Sequence, residues 1–285
     1  MFAGFHSDEL ARIQEALAAG VKAARYQLER YRLQARSVRD RLVALMIECE
    51  YEQDQLNLAE LERFAQEGWN LARTSAATAE AAVFGARLGL ARTMNLASRE
   101  IDFSARLGMM AIVGAPLVST EEAERHDREV PQIKDAINEL FREAYSLARD
   151  SRNLLSLFTV TLLYAHSLTQ SIFPLRIPGR ERITPNIPQL VEHAAATVHS
   201  AYDLAISIAT ALNSKRLTAM AFSNYANDIR TFGEEARALE HAKYALQLAK
   251  EIGDQEQLAK SEMLVQRLTT GAGDSAKHGA DGAGR

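Results

Sequence analysis

The chain of 285 residues is 47% hydrophobic and 25% charged, with a net charge of −4, so it can bury a sizeable core and its charge disfavours nucleic acid as a partner. A single cysteine, Cys49, excludes an internal disulfide framework and a cysteine-based zinc cluster. The composition favours helix almost throughout. The lone cysteine favours a reducing, cytoplasmic setting, and MFAGFHSDEL shows no secretory-signal pattern.

Helices are predicted at 8–19 and, after Gly20, at 21–50. In the second helix apolar residues recur in alternating steps of four and three, which is a heptad seam. The seam comprises Ala24, Leu28, Tyr31, Ala35, Val38, Leu42, Leu45 and Cys49. Beside it runs a largely basic stripe of Lys22, Arg25, Glu29, Arg32, Arg36 and Arg39. An acidic stretch follows, with Glu48, Glu50, Glu52, Asp54, Glu60, Glu62 and Glu67.

The basic stripe has two interpretations. A basic helix can bind nucleic acid or acidic lipid. Alternatively, the stripe faces the acidic flank of a returning helix at 55–74 in a coiled-coil-like hairpin. The second is favoured, because charges beside a seam commonly serve pairing between helices. The seam could equally drive a homodimer through the N-terminal helices.

The central helices are predicted at 76–96, 97–113, 119–130 and 131–150. Ser119 and Glu122 form a capping box, and Pro131 fits a first helical turn. The next helix, 154–171, is apolar. Between 153 and 175 only His166 can carry a charge, and this uncharged segment is long enough to span a bilayer. Its serines, threonines and Pro174 favour a helix buried on nearly all sides instead, so no membrane association is expected.

A proline-rich segment interrupts the helices at 173–188. Within FPLRIPGRERITPNIPQL stand four of the six prolines and three arginines, Arg176, Arg180 and Arg182. Long irregular connections in compact domains are often functional, and arginines can bind phosphate or carboxylate. The segment therefore either binds an anion, covers a groove, or is an inert insertion.

Further helices are predicted at 189–212, 215–232, 234–252 and 255–268, followed by a disordered tail at 269–285. A Leu-Ala pair recurs near helix ends, beginning at Leu71, Leu147, Leu204 and Leu248. The spacing fits a repeat of roughly forty residues, one helical hairpin each, with the proline-rich segment as an insertion.

Residues 219–252 resemble a tetratricopeptide (TPR) repeat. The positions that carry the resemblance are Phe222, Tyr225-Ala226, Ile229, Gly233, Ala238 and Ala245. The small side chains of Ala238 and Ala245 in the second helix allow antiparallel helices to approach closely. The sequence departs from the family pattern at Ala242, where a bulky residue is expected, and lacks the usual terminal proline.

The resemblance implies an all-α, TPR-like right-handed solenoid of antiparallel hairpins that binds a protein or peptide in its concave groove. The implied contact residues on the first helix of the hairpin are Met220, Ser223, Asn224, Asn227 and Arg230. Asn224 and Asn227 match places where some TPR domains clamp a peptide backbone or carboxylate. Lysines that complete such a clamp are missing, so a chaperone-tail ligand is not predicted, and both asparagines could simply be solvated.

The sequence contains no phosphate-binding loop, dinucleotide fingerprint, nucleophile elbow or HExxH motif. His126-Asp127 has no companion histidines at metal-site spacing, and glutamates near Cys49 would raise its pKa. We therefore expect no enzymatic activity, no cofactor and no bound metal.

The predicted organisation is an N-terminal helical cap at 1–52, a TPR-like domain at 53–268 and the tail. The predicted function is a scaffold or regulatory adaptor for a protein or peptide. The alternative is a sensor that binds a small anion or nucleic acid through Arg176, Arg180 and Arg182.

Overall fold

The computed structural model describes residues 8–114, 117–176 and 186–280. These residues form eleven α-helices, which confirms the all-α class. The helices are α1 Asp8–Ala18, α2 Lys22–Gln34, α3 Val38–Asp54, α4 Leu58–Thr74, α5 Thr78–Val113, α6 Thr120–Asp150, α7 Leu154–Ile172, α8 Ile187–Ala211, α9 Lys215–Ile229, α10 Glu235–Ile252 and α11 Gln255–Ala280. Short 3-10 turns lie at Phe173–Arg176 and Arg230–Phe232.

The chain divides into two compact units, with the boundary between Tyr164 and Ala165, inside α7. Unit 1 ends at Tyr164 and unit 2 begins at Ala165. The core of unit 1 is built from successive helices: one cluster joins α1 to α3, a second joins α3 to α5, and a third joins α5 to α7. Helix α11 continues beyond Leu268 to Ala280. The division into segments 1–52, 53–268 and 269–285 stays a prediction.

Tight turns of one geometry separate several helices. A residue with positive φ follows the helix, and the next N–H donates to a carbonyl five residues back, which satisfies an otherwise free helix end. These bonds run from Asn57 to Glu52, Ala77 to Ala72, Ser214 to Ala209 and Asp254 to Ala249. The residues with positive φ include Leu56, Ala76, Arg152, Asn213 and Gly253.

The turns show where the Leu-Ala pairs lie. In α4, α6 and α10 the alanine of the pair is buried, four residues before the positive-φ residue of the turn. In α8 that residue is Asn213, so the equivalent pair is Ile208-Ala209. The predicted alignment through Leu204 is therefore wrong by about one helical turn, because it followed residue identity rather than the position of the helix end.

The predicted long helix at 21–50 is wrong. It consists of α2 and α3, which are separated at Ala35–Ser37. Ala35 adopts an extended conformation, and the Ser37 hydroxyl accepts a hydrogen bond of 3.0 Å from the Asp40 N–H at the start of α3. An N-cap serine fixes a new helix start at this point. The seam is divided accordingly, since Val38 is exposed whereas Ala24, Leu28, Leu42, Leu45 and Cys49 are buried.

Pairing between the basic stripe and the acidic stretch is confirmed for Arg25 and Arg32. Arg25 Nε donates to Glu52 Oε1 at 2.9 Å, and Arg32 Nη1 donates to Glu67 Oε1 at 2.8 Å. Arg32 Nε also lies 2.8 Å from Glu48 Oε2, although its N–H is not directed at that oxygen. The acids come from both α3 and α4, so the stripe serves the packing of three helices.

Two predicted helix boundaries in the centre of the chain are wrong. Helix α5 continues through residues 96 and 97, and α6 continues through Pro131. Leu96 and Val130 belong to the same buried cluster, so α5 and α6 share a core that includes residues next to both predicted boundaries. The capping of α6 is confirmed, since Ser119 Oγ accepts a hydrogen bond from the Glu122 N–H at 3.1 Å.

Helices α4 and α5 approach closely at two glycines. A Cβ atom on Gly68 would lie 2.3 Å from the Phe84 ring, and one on Gly85 would lie 2.4 Å from the Trp69 ring. Each helix therefore presents a glycine to an aromatic ring of the other. This reciprocal contact requires the absence of a side chain at both positions.

Helix α7 is buried on nearly all sides, as predicted. Five consecutive residues, Phe158–Leu162, are buried, including two threonines. The hydroxyls of Thr159 and Thr161 donate to carbonyls one turn earlier in the same helix. Within the described part of the chain, no helix combines the length and apolar character needed to cross a bilayer.

Candidate peptide-binding surface

The candidate surface lies on α9 in unit 2, and local sequence defines both ends of this helix. Ser214 precedes it, and its hydroxyl accepts a hydrogen bond from the Leu217 N–H at 3.3 Å. At the other end the chain tightens into a 3-10 turn and then reaches Gly233, which has a φ of 83°. Glycine adopts this conformation without steric cost, so α10 can return directly along α9.

Small residues allow α9 and α10 to pack closely. Ala226 on α9 and Ala238, Ala242 and Ala245 on α10 are completely buried. These include Ala242, where the TPR pattern has a bulky residue. Alanine at these positions brings the helix backbones together, as expected for an antiparallel hairpin.

An aromatic stack lies behind the surface. The ring of Tyr225 on α9 stacks between Tyr202 on α8 and His241 on α10, with ring centroids 4.6 Å apart on each side. Tyr202 and Tyr225 are almost completely buried. The stack fixes the orientation of α9 between its two neighbours in unit 2.

A buried carboxylate links α9 to two further helices. Asp228 is 1% exposed. Its Oδ1 lies 2.9 Å from Nδ1 of His166 on α7, and its Oδ2 accepts a hydrogen bond of 2.6 Å from the Tyr202 hydroxyl. In the neutral form of His166, Nε2 is the acceptor for Gln170 Nε2 at 3.3 Å.

This arrangement changes the acidity of its members. Burial lowers the pKa of His166, but the charge of Asp228 and the hydrogen bond to it outweigh burial, so the pKa is raised. Burial, with Asp228 adding to it, raises the pKa of Tyr202 well above its ordinary value. Asp228 therefore favours a cationic His166 beside a phenol that stays protonated.

A second polar group lies at the turn between α9 and α10. Arg237 Nη2 donates to the Tyr225 hydroxyl at 2.8 Å, and that oxygen lies 2.7 Å from His199 Nδ1. His199 Nε2 lies 2.8 Å from Glu234 Oε1. Burial raises the pKa of Tyr225 to about 12, so its hydroxyl acts here as a hydrogen-bonding group rather than as a nucleophile.

Apart from the exposed Lys215 and Arg216 at its start, the buried residues of α9 leave a strip of its middle part open. Asn224 is exposed, and Met220 and Asn227 are partly exposed. These positions are four and three residues apart, so they lie on one face of the helix. We call this face the α9 strip.

Two other predicted contact residues are not on the α9 strip. Ser223 is 9% exposed and belongs to the core, so its prediction as an exposed groove residue is wrong. Arg230 is partly exposed and begins the 3-10 turn that ends α9. Both are three residues from a member of the strip, so the burial of Ser223 and the end of α9 before Arg230 set them apart from it.

The polar edge of α7 adjoins the α9 strip. Asn224 stands one helical turn before Asp228, which contacts His166. His166 retains 28% side-chain exposure, and Gln170 is partly exposed next to it. The described surface near Asn224 therefore offers amides and one imidazole, all able to form hydrogen bonds with a peptide backbone or a carboxylate.

The proline-rich segment lies mostly outside the described residues. Helix α7 ends at Ile172, Arg176 closes a 3-10 turn, and α8 begins at Ile187. Arg180 and Arg182 fall within 177–185, outside the described residues. Anion or nucleic-acid binding by these arginines stays a prediction.

Cys49 and His126, which are possible catalytic or metal-binding residues from the sequence alone, pack against other parts of the protein. Burial raises the pKa of Cys49 to about 12, with smaller contributions from nearby glutamates, so its poor nucleophilicity has a different leading cause from the predicted one. His126 stacks on Phe103 with ring centroids 3.8 Å apart. Among the described residues, no group of three metal-ligating side chains could hold a metal ion.

The sequence did not reveal the pairing of His166 with Asp228. The two residues are 62 positions apart, and a lone histidine on an apolar helix is more often a core residue than a ligand. A signal was present in the sequence, since Asp228 follows the apolar Tyr225-Ala226 step on the face of α9 that the TPR pattern buries. A carboxylate on that face requires a partner.

The chain matches no protein-family model and no curated protein. These comparisons therefore assign it to no family.

Proposed function

We propose that this protein is a non-enzymatic scaffold or regulatory adaptor that binds a protein or peptide along the α9 strip, in the groove of a TPR-like array within unit 2. The observation that carries the proposal is the composition of this strip. In the middle of α9, where Ala219, Ala221 and Tyr225 are buried, Asn224 is exposed and Met220 and Asn227 are partly exposed. A helix supported in this way can present a ligand with preorganised contacts.

The helix pairing supports a TPR-like arrangement. Helix α9 forms a close antiparallel hairpin with α10, and the Asp228–His166 contact brings α7 beside α9. Turns of the same geometry end α8 and α10. Helices α7, α9 and α11 would then be the first helices of successive hairpins, which line the concave side in TPR proteins.

The chemistry of the strip favours an extended peptide. Each asparagine amide has both a donor and an acceptor, as a peptide bond does. The Met220 side chain is flexible and can adapt to different apolar residues. His166 adds a group that is able to pair with a carboxylate when it is protonated.

Peptide display on the full-length protein tests the proposal. Selected peptides would be measured by calorimetry against wild type and an Asn224→Ala/Asn227→Ala variant. We expect the double substitution to weaken binding at least about tenfold, since each lost hydrogen bond contributes about 1 kcal/mol.

Asn138→Ala is the matched control, because Asn138 is an exposed helical asparagine in unit 1. It should leave the affinity unchanged. If the selected peptides bind the double variant as tightly as wild type, the α9 strip is not the binding surface. If selection yields no peptide at all, peptide recognition itself is contradicted.

A further inference from the structure

The outward face of α2 carries two large apolar side chains that nothing in unit 1 covers. Tyr26 is 75% exposed and Leu33 is 72% exposed. They stand seven residues apart, so they share one face of the helix. The opposite face is already occupied, since Ala24 and Leu28 are completely buried.

Two opposite charges lie between these apolar residues on the same face. Glu29 and Arg30 follow Tyr26 by three and four positions. Within the described part of the chain neither has an ion-pair partner, in contrast to Arg25 and Arg32 on the other side of the helix. We call Tyr26, Glu29, Arg30 and Leu33 the α2 face.

The order of residues makes the α2 face complementary to itself. If a second copy of α2 lies antiparallel, with a two-fold axis between positions 29 and 30, then Tyr26 meets Leu33 of the other copy. Glu29 meets Arg30 of the other copy, and both contacts occur twice. A parallel arrangement would instead set Glu29 against Glu29 and Arg30 against Arg30, which is unfavourable.

We propose that the α2 face is the contact surface of an antiparallel homodimer with two-fold symmetry. Two-fold dimers are the commonest oligomers, and their interfaces use the same patch on both subunits. A dimer through the heptad seam would have to expose Ala24 and Leu28, which the fold of a single chain already buries. The α2 face is available without any rearrangement.

The dimer is weak and reversible. A single helix face buries less than the roughly 800 Å² per partner of a standard interface. Its tyrosine and arginine are nevertheless residue types that dominate binding energy in interfaces. The association therefore depends strongly on a few side chains, which makes it testable by substitution.

Sedimentation velocity over a range of protein concentrations tests the proposal. We expect wild type to convert from monomer to dimer as concentration rises. Arg30→Glu should abolish the dimer, because it places two acidic side chains opposite each other at both contacts. Glu29→Arg should also abolish it, because two basic side chains then face each other. The double substitution Glu29→Arg/Arg30→Glu should restore it, because opposite charges meet again.

Leu33→Ser should also abolish the dimer, whereas Leu56→Ser should not, since Leu56 is 70% exposed but lies in the turn between α3 and α4. Circular dichroism would verify that each variant keeps its helices. A wild type that stays monomeric throughout, or a dimer that survives Arg30→Glu, overturns the proposal.

Cross-linking tests the antiparallel register directly. Tyr26→Cys chains are mixed with Leu33→Cys chains under oxidising conditions, while Cys49 is retained because it is buried. We expect disulfide-linked heterodimers in preference to either homodimer. Preferential linkage of Tyr26→Cys chains to one another would indicate a parallel pair and contradict the proposed register.

Discussion

The carboxylate of Glu48 lies fully buried in unit 1, beside two arginines of α2 and Glu67 of α4. Burial raises its pKa to about 7, although the nearby charges of Arg32 and Arg25 oppose that shift. No well-directed hydrogen bond from a described residue reaches either oxygen. Glu48 therefore binds a proton more readily in the folded protein than in the unfolded chain.

This difference makes unit 1 less stable as the pH rises from about 4.5 to about 7, because the folded state holds a proton that the unfolded state has released. The loss amounts to about 3 kcal/mol, from the difference between the two pKa values. Urea unfolding followed by circular dichroism at several pH values within this window measures it.

Glu48→Gln is the matched variant, since glutamine is similar in size and does not titrate. It should remove this part of the pH dependence, with Arg32 still paired to Glu67. An unchanged slope of stability against pH in the variant would show that another group titrates.

The glycines of α4 and α5 provide a prediction about packing. Gly85→Ala places a methyl group within 2.4 Å of the Trp69 ring, so we expect a loss of about 1–3 kcal/mol from overpacking. Thermal unfolding measures the change. Gly108→Ala on the same helix has no neighbour within 4 Å of its Cβ, and it should instead stabilise by about 0.5–1 kcal/mol.

Individual side chains were the least predictable part of the structure. Helix class and much of the core followed from apolar periodicity, and the Arg25 and Arg32 pairs followed from charges beside the seam. The Asp228–His166–Tyr202 contacts did not, because they join side chains that are 62 and 26 positions apart in the sequence. Ser223 was assigned to the surface because the TPR resemblance places it on the groove side of the first helix, although it is only 9% exposed.

Helix ends illustrate when local signals determine structure. Ser37 and Ser119 both accept hydrogen bonds from the starts of their helices. The first cap was overlooked because the heptad pattern continues across it. Conversely, Pro131 suggested a helix start, yet α6 continues through it because the surrounding residues pack against α5. Tertiary packing outweighs a local signal in that case.

Pro131→Ala follows from this observation. A proline inside a helix lacks the N–H that would bond to a carbonyl one turn earlier. Because Pro131 is exposed within α6, alanine should stabilise unit 1 by about 1–3 kcal/mol. Thermal unfolding again provides the measurement.

Pro188→Ala serves as the comparison, because Pro188 stands in the first turn of α8, where no such bond is lost. Pro188→Ala should bring no comparable increase in stability. Equal effects of the two substitutions would mean that the interior position in α6 carries no special cost.

The division of the molecule into two compact units, each with its own buried core, predicts that calorimetry resolves two transitions. Gly85→Ala should lower the transition of unit 1, and Asp228→Asn should lower that of unit 2 by removing a buried charge partner, about 3 kcal/mol. If both substitutions shift the same single transition, the units unfold together.

Trp69 has an optical consequence. It is the single tryptophan of the chain, it is 4% exposed, and its ring covers Gly85. Its indole emission should therefore be that of an apolar environment and should shift to longer wavelength when α4 and α5 separate. Unit 2 contains tyrosines but no tryptophan, so fluorescence excited at the red edge of the indole band follows unit 1 alone. The protein thus contains its own spectroscopic label for one of its two halves.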